Sequence, residues 1–273
     1  MIHHAGAEPP MTNPAPDVAA RLRAAGCVFA EDEARLLLDA AATAAELDDL
    51  VARRIAGEPL EQILGWAEFA GLRIVVQRGV FVPRRRTELL VREAAALVRR
   101  AVAPGHSPVV VDLCCGSGAV AAALLDRLEG IEVHAADIDP AAVRCARTNL
   151  AGRGHVYEGD LDGPLPATLR GRVDLLVANA PYVPTEAIGL MPPEARLHEA
   201  RVALDGGADG VDVQRRIAAA APGWLAPGGH VLVETGREQV PLTVRAFEGA
   251  GLTTRVVRSA ELSATVVVGT REA

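Results

Sequence analysis

The tetrapeptide Asn179-Ala180-Pro181-Tyr182 follows a short apolar run over residues 173–178, and its residue types suit one kind of chemistry. An amide or exocyclic amino nitrogen is a poor nucleophile because its lone pair is delocalised. Two acceptors, the Asn179 side-chain oxygen and the main-chain carbonyl of Ala180, can hold the two N–H groups of such a nitrogen and aim it at an electrophilic methyl carbon. Tyr182 can then cover the flat face of the acceptor. Read this way, Asn179, Ala180, Pro181 and Tyr182 are catalytic residues that need no metal and no covalent intermediate. A loop made only for packing is the competing reading.

A second constellation, Asp112-Leu113-Cys114-Cys115-Gly116-Ser117-Gly118, ends another apolar run and leads straight into a helical pattern. Glycines there let the backbone approach a ligand while the helix N-terminus offers free N–H groups. Asp137 lies about twenty residues further on at the end of the next run, where a carboxylate can accept from both hydroxyls of a ribose. Gly116-Ser117-Gly118-Ala119-Val120-Ala121 also fits the dinucleotide pattern with Ala in last place, so the loop alone admits a nicotinamide cofactor. The Asn179 turn separates the two readings, because a dinucleotide enzyme has no need of it. Asp160 closes the third run, where it can meet an adenine amino group or serve as an ordinary loop aspartate. Asp139, followed by Pro140, reads as a helix N-cap.

The elements that must position these residues follow from periodicity. Strand patterns occupy residues 109–113, 132–136, 155–158, 173–178, 230–234, 254–257 and 265–268, with helical patterns at 119–128, 141–150, 211–224 and 239–250. Such alternation predicts a parallel sheet covered on both faces, with ligands at the carboxyl ends of the strands. The last two strands are close enough in sequence to form an antiparallel edge hairpin. Upstream, residues 16–70 are Ala/Leu-rich at helical spacing and read as a small bundle. Residues 71–83 read as a hairpin turning at Gln77-Arg78-Gly79, with residues 84–273 forming the larger domain. Thr87 is a candidate N-cap for a helix over 87–102. Residues 1–15 read as an unstructured tail in which Met11 is a second candidate start.

Composition narrows the setting. The chain has 273 residues, 50% of them hydrophobic but only 3% aromatic, so its core is built from Ala, Val and Leu. It contains no lysine, which removes Schiff-base and P-loop chemistry. A net charge of −7 argues against a protein held to nucleic acid by bulk electrostatics. Cys27, Cys114, Cys115 and Cys145 lack the spacing of a zinc site or a disulfide framework, and the seven histidines form no ligand pattern. A reducing cytoplasm is the expected compartment, with neither an export signal nor a membrane span in the sequence. Trp66 and Trp224 are expected to pack, and Arg84-Arg85-Arg86 to form a solvated loop.

These motifs, in this order, resemble the HemK/PrmC family of protein-glutamine methyltransferases over nearly the whole chain. Glu58-Pro59-Leu60-Glu61-Gln62-Ile63-Leu64-Gly65 with Glu68-Phe69, Val82-Pro83-Arg84 with Thr87-Glu88, and Glu199 with Ala203-Leu204-Asp205-Gly206-Gly207-Ala208-Asp209-Gly210 are the segments that make the resemblance specific. It implies a Rossmann-like class I methyltransferase fold of the α/β class, preceded by a small helical substrate-recognition domain. It implies S-adenosyl-L-methionine as cofactor, met by Asp112, Cys114, Cys115, Gly116, Ser117, Gly118, Asp137, Ile138, Asp160, Leu161 and Asn179. The implied acceptor is a protein glutamine in the Gly-Gly-Gln loop of a translation release factor. Four departures mark a divergent paralogue: Cys114 stands for the first loop glycine, Ala180 for the first proline of Asn-Pro-Pro-Tyr, Arg85 and Arg86 for a proline and an acidic residue, and Ala200 for the proline after Glu199. An adenine or guanine N-methyltransferase acting on RNA or DNA remains the alternative, because it uses the same turn to hold a base, as does a non-catalytic cofactor-binding paralogue.

Overall fold

Runs of alternating Val, Leu and Ala build a sheet here because both of its faces are covered, as the computed structural model shows for residues 15–101 and 105–273. The tail expected over residues 1–15 lies, apart from Ala15, outside the described residues. The chain divides into two compact units, Met1–Leu64 and Gly65–Ala273.

The first unit contains α1 (Ala15–Ala24), α2 (Ala30–Ala40), α3 (Ala44–Ile55) and α4 (Leu60–Leu64). Val18, Leu22, Ala34, Leu37, Val51 and Ile63 form its core. Thr43 caps α3 by accepting from the Glu46 N–H at 3.2 Å, and the Glu46 carboxylate accepts in return from the Ala42 N–H at 2.8 Å. Arg54 grips Glu33 through two bonds of 2.7 and 3.1 Å, tying α3 to α2.

The second unit opens with a hairpin of β1 (Trp66–Phe69) and β2 (Leu72–Val75), followed by a 3-10 turn at Arg85–Thr87 and α5 (Glu88–Ala101). The hairpin is displaced from its expected place. It turns at Ala70-Gly71, both with positive φ (55° and 87°), as a two-residue hairpin turn requires. Ala-Gly carries a weaker turn signature than Asn-Gly or Asp-Gly, which is why the sequence points to Gln77-Arg78-Gly79 instead. Those residues do form a turn, but Gly79 bridges to Glu199 rather than leading into a partner for β2.

The remaining elements are β3 (Val109–Leu113), α6 (Ala119–Arg127), β4 (Glu132–Asp137), α7 (Pro140–Leu150), β5 (His155–Glu158), β6 (Val173–Ala178), α8 (Pro193–His198), α9 (Asp212–Trp224), β7 (Leu225–Glu234), α10 (Val240–Gly249), β8 (Thr253–Ser259) and β9 (Ala264–Thr270). Seven strands form one sheet in the order β5-β4-β3-β6-β7-β9-β8. All neighbours are parallel except β9, which runs antiparallel to both β7 and β8. Val110, Leu175, Val177 and Leu232 point into the core shared with α5, α6 and α7. Val111, Leu176, Val231 and Val233 point into the opposite core with α9 and α10. That alternation leaves every central strand buried on both faces. Strand β7 begins earlier than expected, because its ladder with β6 jumps from Val173–Leu225 to Leu175–His230 and absorbs the intervening Pro-Gly-Gly. Among the described residues, no helix is long and apolar enough to cross a membrane.

Candidate functional site

The carboxyl ends of β3, β4, β6 and β7 carry the chemistry-bearing residues. The glycine loop after β3 is stitched to the end of β4: the Cys115 N–H donates to the Ala136 carbonyl at 3.1 Å, and the Gly116 N–H donates to Asp137 Oδ2 at 2.8 Å. Asp137 Oδ1 accepts from the Asp139 N–H at 2.9 Å. Gly116 has φ of 55°, and a Cβ built on it would meet nothing within 4 Å, so the loop faces open space. Gly118 serves packing instead. A Cβ there would lie 2.9 Å from Leu150 Cδ1 and 3.0 Å from Ala146, where α6 crosses α7.

Buried charge dominates the electrostatics of this end. Asp112 is 1% exposed and accepts from the Ala121 N–H at 3.1 Å, so its carboxylate ties the loop to the first turn of α6. Burial pushes its carboxyl up to about 8, against the Ala121 bond and with help from the neighbouring Asp137 charge. Burial also raises Asp137, which the N–H bonds from Asp139 and Gly116 oppose. The Cys114 and Cys115 thiols are unpaired with each other and pushed well above the ordinary range, chiefly by burial and then by these carboxylates. Neither is a ready nucleophile. Cys114 adopts φ of 54°, the left-handed conformation that favours glycine. Ser117 Oγ is buried with no partner among the described residues. Ile138 is half exposed beside Asp137, whereas Leu161 is buried with φ of 48°. Asp160 pairs with Arg216 at 2.6 Å, with both side chains more than half exposed.

The Asn179 turn is built differently. Asn179 Nδ2 donates to Thr87 Oγ1 at 3.3 Å, and Ala180 is buried at 1% exposure. The Tyr182 hydroxyl donates to Glu234 Oε1 at 3.3 Å. Burial, followed by the Glu234 charge, pushes that hydroxyl up to about 12. Glu234 is 2% exposed at the end of β7. Burial raises its carboxyl, while Thr87, Arg86 and Tyr182 pull it back. Its Oε2 has no partner among the described residues.

The segment around Gly206-Gly207 backs this turn. The Val183 N–H donates to the Leu204 carbonyl at 3.0 Å, the Gly206 N–H to Val183 at 2.8 Å and the Thr185 N–H to Gly207 at 2.9 Å. Gln239 Nε2 donates to the carbonyls of Tyr182 and Asp209 at 2.7 and 3.1 Å. A Cβ on Gly210 would fall 2.0 Å from that nitrogen and 2.4 Å from the Tyr182 carbonyl oxygen. Glu199 Oε1 accepts from Arg84 at 2.5 Å and from the Val82 N–H at 3.2 Å, which holds the Val82-Pro83-Arg84 stretch to the strip after α8.

The structure therefore brings Asp112, Cys114, Cys115, Gly116, Ser117, Gly118, Asp137 and Ile138 around one loop, with Asp160 close enough for its charge to act on Cys114. Asn179, Ala180, Pro181 and Tyr182 follow β6, the next strand of the sheet. Sequence reasoning missed Glu234 and Gln239 and gave Thr87 only a capping role. Glu234 had a signal: it is the last residue of a strand in a sheet whose ligands gather at strand ends. Trp224 packs as expected, fully buried with its indole N–H donating to Asp162 at 2.9 Å.

The methyltransferase small domain family matches residues 71–216. The release factor glutamine methyltransferase of Geobacter sulfurreducens is 42% identical over 205 residues, covering 74% of this chain and 69% of its own. A 4-amino-L-phenylalanine/4-methylamino-L-phenylalanine methyltransferase of Streptomyces pristinaespiralis is 38% identical over 205 residues, with the same coverage of 74% and 69%. A methyltransferase from Pyrococcus furiosus shares the fold at a TM-score of 0.53 and 14% identity, covering 83% of this chain and 100% of its own. With the glycine loop, Asp137 and the Asn179 turn at consecutive places along the sheet, the chain belongs to the release factor glutamine methyltransferase family.

Proposed function

We propose that this protein methylates the side-chain amide nitrogen of a protein glutamine, using S-adenosylmethionine, with the Gly-Gly-Gln loop of a release factor as the substrate. The observation that carries this reading is the Asn179-Ala180-Pro181-Tyr182 turn, set at the end of β6 beside a glycine loop that faces open space. The residues present fit the cofactor. Gly116 leaves room for it, Asp137 supplies a carboxylate for the ribose hydroxyls, half-exposed Ile138 offers an apolar surface to a purine, and Ser117 Oγ is a buried polar atom still without a partner among the described residues. Asp160 and Leu161 stand on the adenine side.

When bound, the cofactor supplies a sulfonium methyl, an electrophilic carbon whose leaving group is a neutral thioether. Asn179 Oδ1 and the Ala180 carbonyl accept the two N–H groups of the glutamine amide and hold its nitrogen in line. Tyr182 covers the amide plane. Methylation of the nitrogen so held would release one of its protons, which would leave for water. The helical bundle engages the protein partner. The site of action is the cytoplasm, and the net charge of −7 favours a protein over a nucleic acid as the bound macromolecule.

The test is transfer of labelled methyl to a purified release factor, with the label located by peptide mass spectrometry. Glutamine labelling that falls on the order of 10²-fold in Asn179→Ala, with cofactor affinity retained, supports the reading. Label in adenine of RNA or DNA instead would overturn it. Arg86 favours a second acceptor: it is exposed, and its charge acts on both Tyr182 and Glu234. A cation there suits an acceptor that carries a carboxylate, so 4-amino-L-phenylalanine, named in the Streptomyces pristinaespiralis relative, is the small molecule to assay alongside.

A further inference from the structure

We propose that Gln239 is a positioning residue for methyl transfer: its side-chain amide fixes the Tyr182 end of the Asn179-Ala180-Pro181-Tyr182 turn, and with it the direction in which Asn179 and the Ala180 carbonyl meet the acceptor. The inference rests on the amide-methylating reading above and adds to it a residue outside the turn. Of the four turn residues only Pro181 has its φ locked by a ring. The others must be held from outside.

On one side the chain after the turn is pinned by Val183, whose N–H and carbonyl pair with Leu204 and Gly206. Gln239 grips it from the other side, out of the short connection between β7 and α10. It is buried, its Nε2 donates to the Tyr182 and Asp209 carbonyls at 2.7 and 3.1 Å, and its Oε1 accepts from the Gly236 N–H at 3.1 Å. All three partners are main-chain groups whose donor or acceptor character cannot change, so a single orientation of the amide satisfies them. A Cβ on Gly236 would stand 2.6 Å from Oε1, and glycine there permits the close approach. The Tyr182 hydroxyl meets Glu234 at 3.3 Å, so main chain and side chain of Tyr182 are both held from residues 234–239. The clamp has a firm base. Thr243 Oγ1, 3.2 Å from the Gln239 carbonyl, donates to Gln214 Oε1 at 2.6 Å; Gln214 Nε2 donates to Thr235 Oγ1 at 3.3 Å, and the two threonine hydroxyls share a bond of 3.2 Å. This buried ring joins α9, α10 and the end of β7, and a satisfied polar network of that kind is rigid.

Two variants separate positioning from packing. Gln239→Glu keeps the shape and the bond from Gly236, but its carboxylate has no proton for either carbonyl; Gln239→Met keeps only the volume. With a release factor as acceptor, each is expected to lower kcat at least tenfold while cofactor affinity, read by calorimetry, stays within twofold. A residue that only fills space would tolerate both changes. Wild-type turnover in either variant, or cofactor affinity that falls in step with kcat, overturns the proposal.

A spectroscopic arm reads the turn directly. The chain contains two tyrosines, Tyr157 and Tyr182, so 3-fluorotyrosine labelling yields two fluorine resonances, which Tyr157→Phe assigns. Tyr157 lies on β5, at the far edge of the sheet, and serves as the internal control. In both Gln239 variants the Tyr182 resonance is expected to shift or broaden while that of Tyr157 stays in place. Should methionine perturb folding and move both, the glutamate variant answers the same question. A Tyr182 resonance unchanged in both variants overturns the inference. If wild type fails to methylate the release factor, the functional reading falls, and the fluorine spectrum alone decides this one.

Discussion

The side-chain amide of Asn149 pairs with the backbone of Val75 as a neighbouring strand would. Asn149 Oδ1 accepts from the Val75 N–H at 2.8 Å, and Nδ2 donates to the Val75 carbonyl at 2.9 Å. The same Nδ2 donates to the Ser117 carbonyl at 2.8 Å, so one residue of α7 joins the hairpin to the glycine loop. Asn149→Ala removes all three bonds and leaves backbone groups unpaired, at a cost of about 2–3 kcal/mol. Urea denaturation should show the lower midpoint, and a change below about 0.5 kcal/mol would contradict the role assigned here.

At Gly210 the expectation concerns the Asn179 turn. Its φ is 77°, and an added Cβ would collide with Gln239 Nε2 and the Tyr182 carbonyl. Gly210→Ala must displace the amide that clamps the turn, so it should cost at least about 2 kcal/mol and lower turnover more than cofactor affinity. Calorimetric cofactor titration beside a turnover assay separates the two effects.

Cys114 occupies a left-handed backbone conformation that costs a side-chain-bearing residue about 1 kcal/mol relative to glycine. Cys114→Gly should therefore raise stability by up to that amount and retain turnover. Because burial holds the Cys114 and Cys115 thiols in their protonated form, alkylation by iodoacetamide at pH 7.5 should be slow in the folded protein and fast once it is unfolded.

Asp112 predicts a pH dependence of stability. In the unfolded chain its proton is lost near 3.8, whereas the folded protein keeps it until about 8. Between those values the folded state holds the extra proton, so this stabilisation is complete below 3.8, declines as pH rises and is spent above about 8. Asp137, Glu199 and Glu234, also raised by burial, act in the same direction. Asp112→Asn keeps an oxygen for the Ala121 N–H but removes one titration, so its denaturation midpoint should fall less between pH 5 and pH 8.5 than that of wild type. Parallel curves would count against the assignment.

The sheet was readable because its central strands are apolar on both faces and most strands are separated by well-marked helices; β3 and β6 match their predicted spans, and so does β5, a partly exposed edge strand. The glycine loop was readable because a tight strand-to-helix turn with positive φ restricts residue type locally. The hairpin at Ala70-Gly71 was harder to read, since its pairing is imposed by burial of Ala67, Phe69 and Ile74 rather than by a strong turn sequence. Glu234, Gln239 and Thr87 escaped for another reason. Each acts on the Asn179 turn across 52, 57 and 92 residues of chain, and nothing local distinguishes such a residue from an ordinary surface glutamate, glutamine or helix cap.

The position of β9 has a consequence for how the site comes into being during synthesis. Strand β9 emerges from the ribosome after β8 yet inserts between β8 and β7, pairing Glu234 with Val266 and Val233 with Val267. Until about residue 270 has been made, β7 stands at the rim of an unfinished sheet, an open template for other nascent chains. The carboxyl that accepts from the Tyr182 hydroxyl, Glu234, is carried on that rim. Methyl transfer thus becomes available only once β9 has been made, when the strand that seals the sheet against aggregation also completes the pairing of the strand that carries Glu234.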